Sequence, residues 1–395
     1  MNQKQFWGHL PWRCFILGFV VLSARAISAQ AQPMRSRYGG IPIARLTDQP
    51  DDWFKSDEGK HTAENILSWQ NANGGWWKNY NTSAARPTTV PSDPKSGPTG
   101  DDDDVWHKVS TIDNDATYSE LHVMARAYRV LKDDKYKDSF NKGLHYLFGA
   151  QYDNGGWPQR FPLQDNYGRH ITFNDGAMLG VMNLLWDVSD AEPDFTFVTE
   201  ADRKEAKRRL DKGFDCILNC QVKINGKLTV WGQQHDEKTL APAPARAYEL
   251  PSLTASESTG LTQLLMQIDK PNARVRDAVD SAVAWFEANK ITGKRLDRVS
   301  GQQYENGRDL IVVDDPKAEP IWARFYDLDT GKPFFCSRDG IKRSSIDQIS
   351  HERRVGYAWY GIWPNKLLQQ YPAWKERVSK QPAAASPAPV STKKD

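Results

Sequence analysis

The sequence predicts an all-α fold, a closed toroid of helical hairpins whose long loops gather into a groove on one face. Three observations carry this. Amphipathic helix patterns come in pairs, long irregular stretches separate the pairs, and those stretches repeat a Gly-Trp phrase at intervals of roughly 80 residues. A helical hairpin repeated at that interval would leave apolar faces exposed unless the array closed on itself.

Residues 1–31 read as a secretory signal. Lys4 and Arg13 precede the apolar run from Cys14 to Leu22, and small residues follow at Ala24/Ala26 and Ala29/Ala31. The run is too short to span a bilayer, so the mature chain is expected to be secreted or periplasmic, with no membrane span. Removing the signal takes away Lys4, Arg13 and Arg25 and no acid, so the net charge falls from +2 to −1. That leaves no basic surplus of the kind nucleic-acid binding requires.

A single domain is expected over 32–375. A helix near 54–69 opens it. Apolar residues at a 3.6 period then place helices at 118–131 (Leu121, Met124, Ala125, Tyr128, Leu131) and 135–148 (Phe140, Leu144, Leu147). The arrangement returns at 176–188 with 199–219 and at 256–268 with 272–288, and a last helix is expected near 356–369. Thr117-x-x-Glu120 and Thr254-x-x-Glu257 read as capping boxes on the first and third pairs, and Asp175 as a cap on the second. Asn73-Gly74-Gly75-Trp76-Trp77 recurs as Asn154-Gly155-Gly156-Trp157-Pro158, with weaker echoes ending in Trp231 and Trp322. These shared starts put the long loops on one face.

The Pro/Ala-rich stretch beginning at Gln381 cannot build a core, and a disordered tail is expected over 376–395. Once Cys14 leaves with the signal, Cys216, Cys220 and Cys336 remain. The first two lie four apart on one helix face, where a disulfide and two free thiols are equally compatible with the spacing. Fifteen Trp, 14 Tyr and 15 Phe are many for this length and suggest a carbohydrate-facing cleft as much as a core, with Trp157 a candidate substrate contact.

The chemistry concentrates in two acidic clusters and a set of arginines. Asp113, Asn114 and Asp115 precede one helix pattern and Asp175 precedes the next, where helix dipoles favour ionised carboxylates. With Thr117 read as the cap, Asp113 and Asp115 are surplus to capping, and two such clusters on adjacent inner helices offer hard oxygen ligands for Ca2+. Arg246 lies in a proline-stiffened loop running into the third pair. Arg324, Arg338 and Arg343 follow in the fourth loop. Guanidinium forks beside a carboxylate-binding cation describe a site for a polyanionic sugar acid. His235-Asp236 could be read as a base and its orienting acid, although no nucleophile accompanies them. The like-charge run at 101–104 reads as a solvated loop.

Several long motifs resemble the pectate lyases of polysaccharide lyase family 10. They are Thr111-Ile112-Asp113-Asn114-Asp115-Ala116-Thr117-Tyr118-Ser119-Glu120, Gln151-Tyr152-Asp153-Asn154-Gly155-Gly156-Trp157-Pro158-Gln159, His170-Ile171-Thr172-Phe173-Asn174-Asp175-Gly176-Ala177-Met178, Trp231-Gly232-Gln233-Gln234-His235-Asp236 and Ala245-Arg246-Ala247-Tyr248-Glu249. The resemblance spans about residues 50 to 370. It implies an (α/α)3 toroid that cleaves α-1,4-polygalacturonate by Ca2+-assisted β-elimination. It further implies Asp113, Asn114 and Asp175 as cation ligands, Arg246 as catalytic base, and Arg324 and Arg338, with Asn114, as substrate binders. The expected partner is a polygalacturonate or oligogalacturonate substrate, and the protein is expected to act as a monomer. The competing readings are a polygalacturonate hydrolase using Asp113 and Asp175, and a non-catalytic binder of oligogalacturonate. Cations near Arg246 would favour its neutral form, so an alkaline optimum is expected.

Overall fold

A computed structural model describes residues 38–92, 97–99 and 104–381; the expected signal sequence, residues 101–103 of the acidic run and everything beyond 381 lie outside them. Two short helices, α1 (Ile43–Leu46) and α2 (Asp51–Lys55), lead into α3 (Asp57–Ser68). Three hairpins follow: α4 (Tyr118–Leu131) with α5 (Asp134–Ala150), α6 (Ala177–Ser189) with α7 (Glu200–Cys220), and α8 (Ala255–Met266) with α9 (Ala273–Ala288). The first member of each hairpin is inner, α4 packing on α6 and α6 on α8, and the arrangement is an (α/α)3 toroid. Helix α3 packs on α4 before the ring. After it come the short α10 (His351–Gly356) and α11 (Pro364–Ser379), the latter packing on α8 and α9. No described helix is long and apolar enough to cross a membrane.

Where the helices begin separates the two layers. The outer helices are capped by side chains: Asp133 accepts from Lys135 N, Thr199 from Asp202 N, and Asn272 from Val275 N. The inner helices have no such cap, so the expected capping boxes do not form. The Thr117 hydroxyl accepts from the Trp76 amide (3.0 Å) and donates to the Thr111 carbonyl (2.8 Å), while the Thr254 hydroxyl donates to Glu257. Thr117 ties two loops together instead of closing a helix end, and Thr254 engages the Glu257 side chain of its own helix without accepting from an amide.

The Gly-Trp phrase is the joint between layers. Trp76, Trp157, Trp231 and Trp322 are each fully buried. Their indole N–H groups donate to Ile66, Leu147, Ile217 and Phe286 carbonyls respectively, each at or near the end of the preceding helix of its unit. One tryptophan thus satisfies an orphan helix carbonyl and fills core volume at once. Trp157 is therefore a structural residue, correcting its reading as a substrate contact, because no face of it reaches solvent. In the two stronger repeats the asparagine folds back on the turn, Asn73 Oδ1 accepting from Gly75 N and Asn154 Oδ1 from Gly156 N. The intervening Gly155 has φ +92°, and a Cβ there would sit 2.0 Å from the Lys212 carbonyl oxygen of α7.

Short ladders set the register of the loops over the inner helices. The amides of Thr111, Thr172 and Thr254 donate to the Trp76, Trp157 and Trp231 carbonyls, and those of Ile112, Phe173 and Ala255 donate to Gln159, Gln233 and Arg324 carbonyls. The position two after each tryptophan (Lys78, Gln159, Gln233, Arg324) is carried to the start of an inner helix.

The described core runs continuously from Ile41 to Val378. Two expected boundaries move. Residues 360–361 form a strand against Trp322–Ala323, and Pro364 opens the last helix, so the helix expected at 356–369 lies at Pro364–Ser379. That helix buries Trp374 and Val378, which makes 376–379 ordered helix instead of tail. The longest strand pair, Lys294–Ser300 with Arg308–Asp314, had no clear sequence signal because charges fall on both of its faces. Cys216 and Cys220 are buried free thiols with sulfurs 3.9 Å apart.

Replacing Gly155 by alanine forces a β-carbon into a helix carbonyl at a left-handed backbone position. Urea unfolding of Gly155→Ala should show a loss of at least about 2 kcal/mol, with turnover per folded molecule unchanged; an unmoved midpoint would refute the steric requirement.

Candidate active site

The acidic phrase before α4 folds with Asn114 and Asp115 in left-handed conformations (φ +50° and +64°), and Asp175 before α6 does the same (φ +48°). Asn and Asp tolerate this region better than other side chains. The kinks lift these side chains off the helix axes toward the loops. Asp113 is buried, with Oδ2 held by Lys78 Nζ at 2.7 Å. Asp175 is partly exposed and receives Arg324 Nη2 at 3.2 Å.

The residue joining these groups is Asn174, which is buried. Its Nδ2 lies 3.0 Å from Asp175 Oδ2 and 3.5 Å from Asp113 Oδ1. Its Oδ1 accepts from Gln233 Nε2 at 2.6 Å and Arg324 Nη2 at 3.3 Å. Gln233 Nε2 also reaches Glu249 Oε1 at 3.0 Å, and Glu249 holds Arg246 through Nε (2.6 Å) and Nη2 (2.5 Å). One connected chain of hydrogen bonds therefore runs from Lys78 and the acidic pair to Arg246.

The arginines gather on aromatic rings. Arg246 Cζ lies 4.9 Å from the Tyr248 ring and 5.8 Å from Tyr357, Arg324 lies 4.8 Å from Tyr357, and Arg338 lies 5.7 Å from Tyr248. Of the two candidates in the fourth loop, Arg338 thus stands beside Arg246, paired to Glu352 at 3.1 Å, while Arg343 is bound to Asp339 at 2.7 Å. Asn114 is exposed and contacts Asn79 at 3.5 Å. It lines a cavity of about 130 Å3 with Lys78, Tyr80, Asp115 and Glu120.

Burial and charge set the protonation states. Burial raises Asp115, partly offset by the Tyr118 hydroxyl that donates to it at 2.8 Å, and Asp175 and Asp113 raise it further. Glu120, completely buried against Tyr80, is pushed up to about 8. Burial pulls the Arg246 guanidinium down, but the Glu249 hydrogen bonds and charge outweigh it and its pKa rises above the ordinary arginine value. Glu249 thus opposes the effect expected of nearby Ca2+ and other cations, which would favour the neutral form. Arg324 likewise rises, because Glu257 and Asp175 outweigh its burial.

Two alternative readings lose their footing here. Burial drives His235 down to about 4. Its Nε2 accepts from Gly232 N at 3.0 Å, so Nδ1 carries the proton and donates to the Leu240 carbonyl at 2.8 Å. Asp236 Oδ1 accepts from the Lys238 and Thr239 amides, so no base-and-acid pair exists. The proposed hydrolase acids are already committed to ion pairs, Asp113 with Lys78 at 2.7 Å and Asp175 with Arg324 at 3.2 Å.

The family model for pectic acid lyases matches residues 70–368. The chain belongs to the pectic acid lyase family. A family 10 polysaccharide lyase from Cellvibrio cellulosa has a similar structure, with a TM-score of 0.70 and 34% identity over 85% of this chain and 96% of that one. An aspartate-to-alanine mutant of the Cellvibrio enzyme, in complex with trigalacturonic acid, matches with a TM-score of 0.68 and 33% identity over 84% and 98%. Comparison with curated proteins gave no match. The protein is a pectate lyase.

The family motifs contain the acidic pair and Arg246, and local context adds Arg324 and Arg338, but no role is read there for Lys78, Asn174, Gln233, Glu249 or Tyr357. Asn174, Gln233 and Glu249 lie inside the same motifs, and the position two after a repeated tryptophan marks Lys78; Tyr357 carries no signal short of the fold. Among the described residues, the one trio of metal-ligating types with ligand atoms within 4.8 Å of one another is His170, Asp236 and Glu237. It contains none of the expected ligands, and Glu237 is already paired with Arg169 at 2.8 Å and His170 at 3.2 Å.

Glu120 supplies a stability test. Its folded pKa lies above the unfolded value, so the native state holds the proton longer and stability falls as pH rises from about 4.5 to 8. Glu120→Gln keeps the shape without the titration. Its stability relative to the unmutated protein should grow by a few kcal/mol across that window and level off above it; a pH-independent difference would contradict the buried neutral carboxyl.

Proposed function

We propose that the enzyme cleaves α-1,4-polygalacturonate by β-elimination assisted by Ca2+, releasing 4,5-unsaturated oligogalacturonates, with Arg246 as base. The observation that carries this is the unbroken chain from Asp113 and Asp175 through Asn174, Gln233 and Glu249 to Arg246, which ties a carboxylate pair and a guanidine into one connected frame. A uronate unit needs both: cations for its carboxylate, and a base within reach of C5.

The donor set at the acidic end fits a hard dication. Asp113 and Asp175 are oxygen donors linked by one amide, and a divalent cation prefers such ligands to imidazole or thiolate. Asp113 and Asp175, with Asn114 at the rim, would hold Ca2+, which supplies positive charge against the uronate carboxylate as the C5 proton leaves. Arg324 and Arg338 bind substrate carboxylates. Arg324 already lies against Asp175, so its guanidinium is in place before the substrate arrives and little reorganisation is needed.

Arg246 in its neutral form removes the proton from C5. The electron pair left on C5 forms the C4–C5 double bond as the C4–O bond breaks, and the departing oxygen takes a proton from water. Arg246 becomes charged and returns that proton to solvent. Glu249 opposes the deprotonation that starts the cycle, so the reaction draws on a small neutral fraction that grows about tenfold per pH unit. The signal sequence fits an enzyme that meets its polymer outside the cytoplasm, working as a monomer from one domain.

Arg246→Ala should lower kcat by at least about a thousandfold while KM stays within a few fold, followed by the ultraviolet absorbance of the unsaturated product. Retained turnover would remove Arg246 as base, and reducing ends without ultraviolet absorbance would show hydrolysis. In the unmutated enzyme, log(kcat/KM) should climb through the alkaline range with no optimum on the acid side. Chelation should abolish turnover, and added Ca2+ should restore it; full activity in excess chelator would exclude the cation.

A further inference from the structure

We infer that Glu249 is the positioning residue of the active site, fixing which nitrogen of Arg246 is presented to the substrate. The inference rests on the reading of Arg246 as base. Glu249 Oε2 accepts from the Arg246 backbone amide at 3.1 Å and from Nε at 2.6 Å, and Oε1 accepts from Nη2 at 2.5 Å. Two of the three guanidinium nitrogens, along one edge of the fork, are therefore committed. Among the described residues Nη1 makes no hydrogen bond, and it is the nitrogen left to meet a C5 proton.

The carboxylate itself cannot turn. It is buried with 3% exposure, and Gln233 Nε2 (3.0 Å) and the Tyr357 hydroxyl (2.8 Å) both donate to Oε1. A reverse turn locks the backbone, with Glu249 N donating to the Arg246 carbonyl at 2.7 Å and Ala245 N to the Glu249 carbonyl at 3.0 Å. Tyr248 and Tyr357 both lie close to the guanidinium, so the plane of the fork is restrained as well as its edge. An ordinary surface ion pair has none of these restraints and contributes little. Through Gln233 and Asn174 the same carboxylate is tied to the acidic pair, so the base and the cation end share one frame.

The charge of Glu249 has a second consequence. The other groups around Arg246 are Tyr248 and Tyr357, with Arg338 and Arg353 over Tyr248 and Arg324 over Tyr357. Glu249 is the anion bonded directly to Arg246, with Glu257 and Glu352 engaged by Arg324 and Arg338. Removing its charge while keeping its shape would ease loss of the arginine proton and disturb the aim of Nη1 at the same time. Shortening it by one methylene would disturb the aim alone.

Glu249→Gln and Glu249→Asp, assayed on polygalacturonate with Ca2+, separate the two effects. Both should lose about a hundredfold in kcat with KM within threefold. In Glu249→Gln the pH dependence of kcat/KM should bend to its plateau at lower pH than in the unmutated enzyme, and in Glu249→Asp it should keep the unmutated shape. Unchanged kcat in both, a rise in KM with kcat preserved, an unshifted profile in Glu249→Gln, or loss of the folded state in both would each overturn the inference. Arg246→Ala assayed alongside keeps the two ideas apart: if it turns over normally the base reading fails, whereas an inactive Arg246→Ala with a normal Glu249→Gln overturns Glu249 alone.

Discussion

The active site is organised around a single buried amide. Asn174 directs its nitrogen at Asp113 and Asp175 and its oxygen at Gln233 and Arg324, so four side chains from separate loops are oriented by one residue. A buried carboxamide can satisfy both ends only if donors and acceptors are supplied on the correct sides. That requirement fixes the relative placement of the acidic motif before α4, the αL residue before α6, the loop after Trp231 and the loop after Trp322. Displacing any one of them leaves a buried polar group unmatched.

This arrangement holds opposite charges in contact before substrate binds. Lys78 neutralises Asp113, Arg324 is shared between Asp175 and Glu257, and Glu249 neutralises Arg246. Such pairing offsets the desolvation that each ion would otherwise suffer beneath the loops. Under the proposed function, a uronate entering among these groups would exchange one carboxylate partner for another, and a dication at the acidic pair would offset the charge added. The same pairing makes Arg246 harder to deprotonate than an isolated arginine, so in the proposed reaction its use as base would rest on orientation and on a scarce neutral form instead of on a lowered pKa.

The fold was legible because its signals are periodic. Hairpin spacing, the Asn-Gly-Gly-Trp phrase and the glycine at the left-handed turn each report a local requirement, and the bounds of the hairpin helices fell within a few residues of those expected, while the last helix lies eight or more residues further on. Signals depending on contacts between distant segments misled. Thr117 and Thr254 look like caps from their neighbours at i+3, yet neither hydroxyl accepts from a helix amide: Thr117 bonds the Trp76 and Thr111 backbone and Thr254 bonds the Glu257 side chain. Trp157 looks like a sugar platform from its composition and its loop, yet its indole is needed to satisfy a helix carbonyl. Asn174 sits inside a motif read mainly for the aspartate beside it, and nothing local shows that its amide, and not its neighbour's carboxylate, is the hub. The sign of the Arg246 shift was likewise invisible, since Glu249 three residues on becomes its partner only through a turn that the sequence does not announce.

The central claim is that the acidic pair and the arginines act on the same sugar unit. A crystal structure of the Arg246→Ala variant with trigalacturonate and Ca2+ tests it most directly. The account predicts one uronate carboxylate between the Asp113/Asp175 end and Arg324, with the C5 hydrogen facing the space left by the Arg246 side chain. A sugar chain bound with its carboxylates directed away from both groups, or with C5 turned from the truncated position, would contradict it.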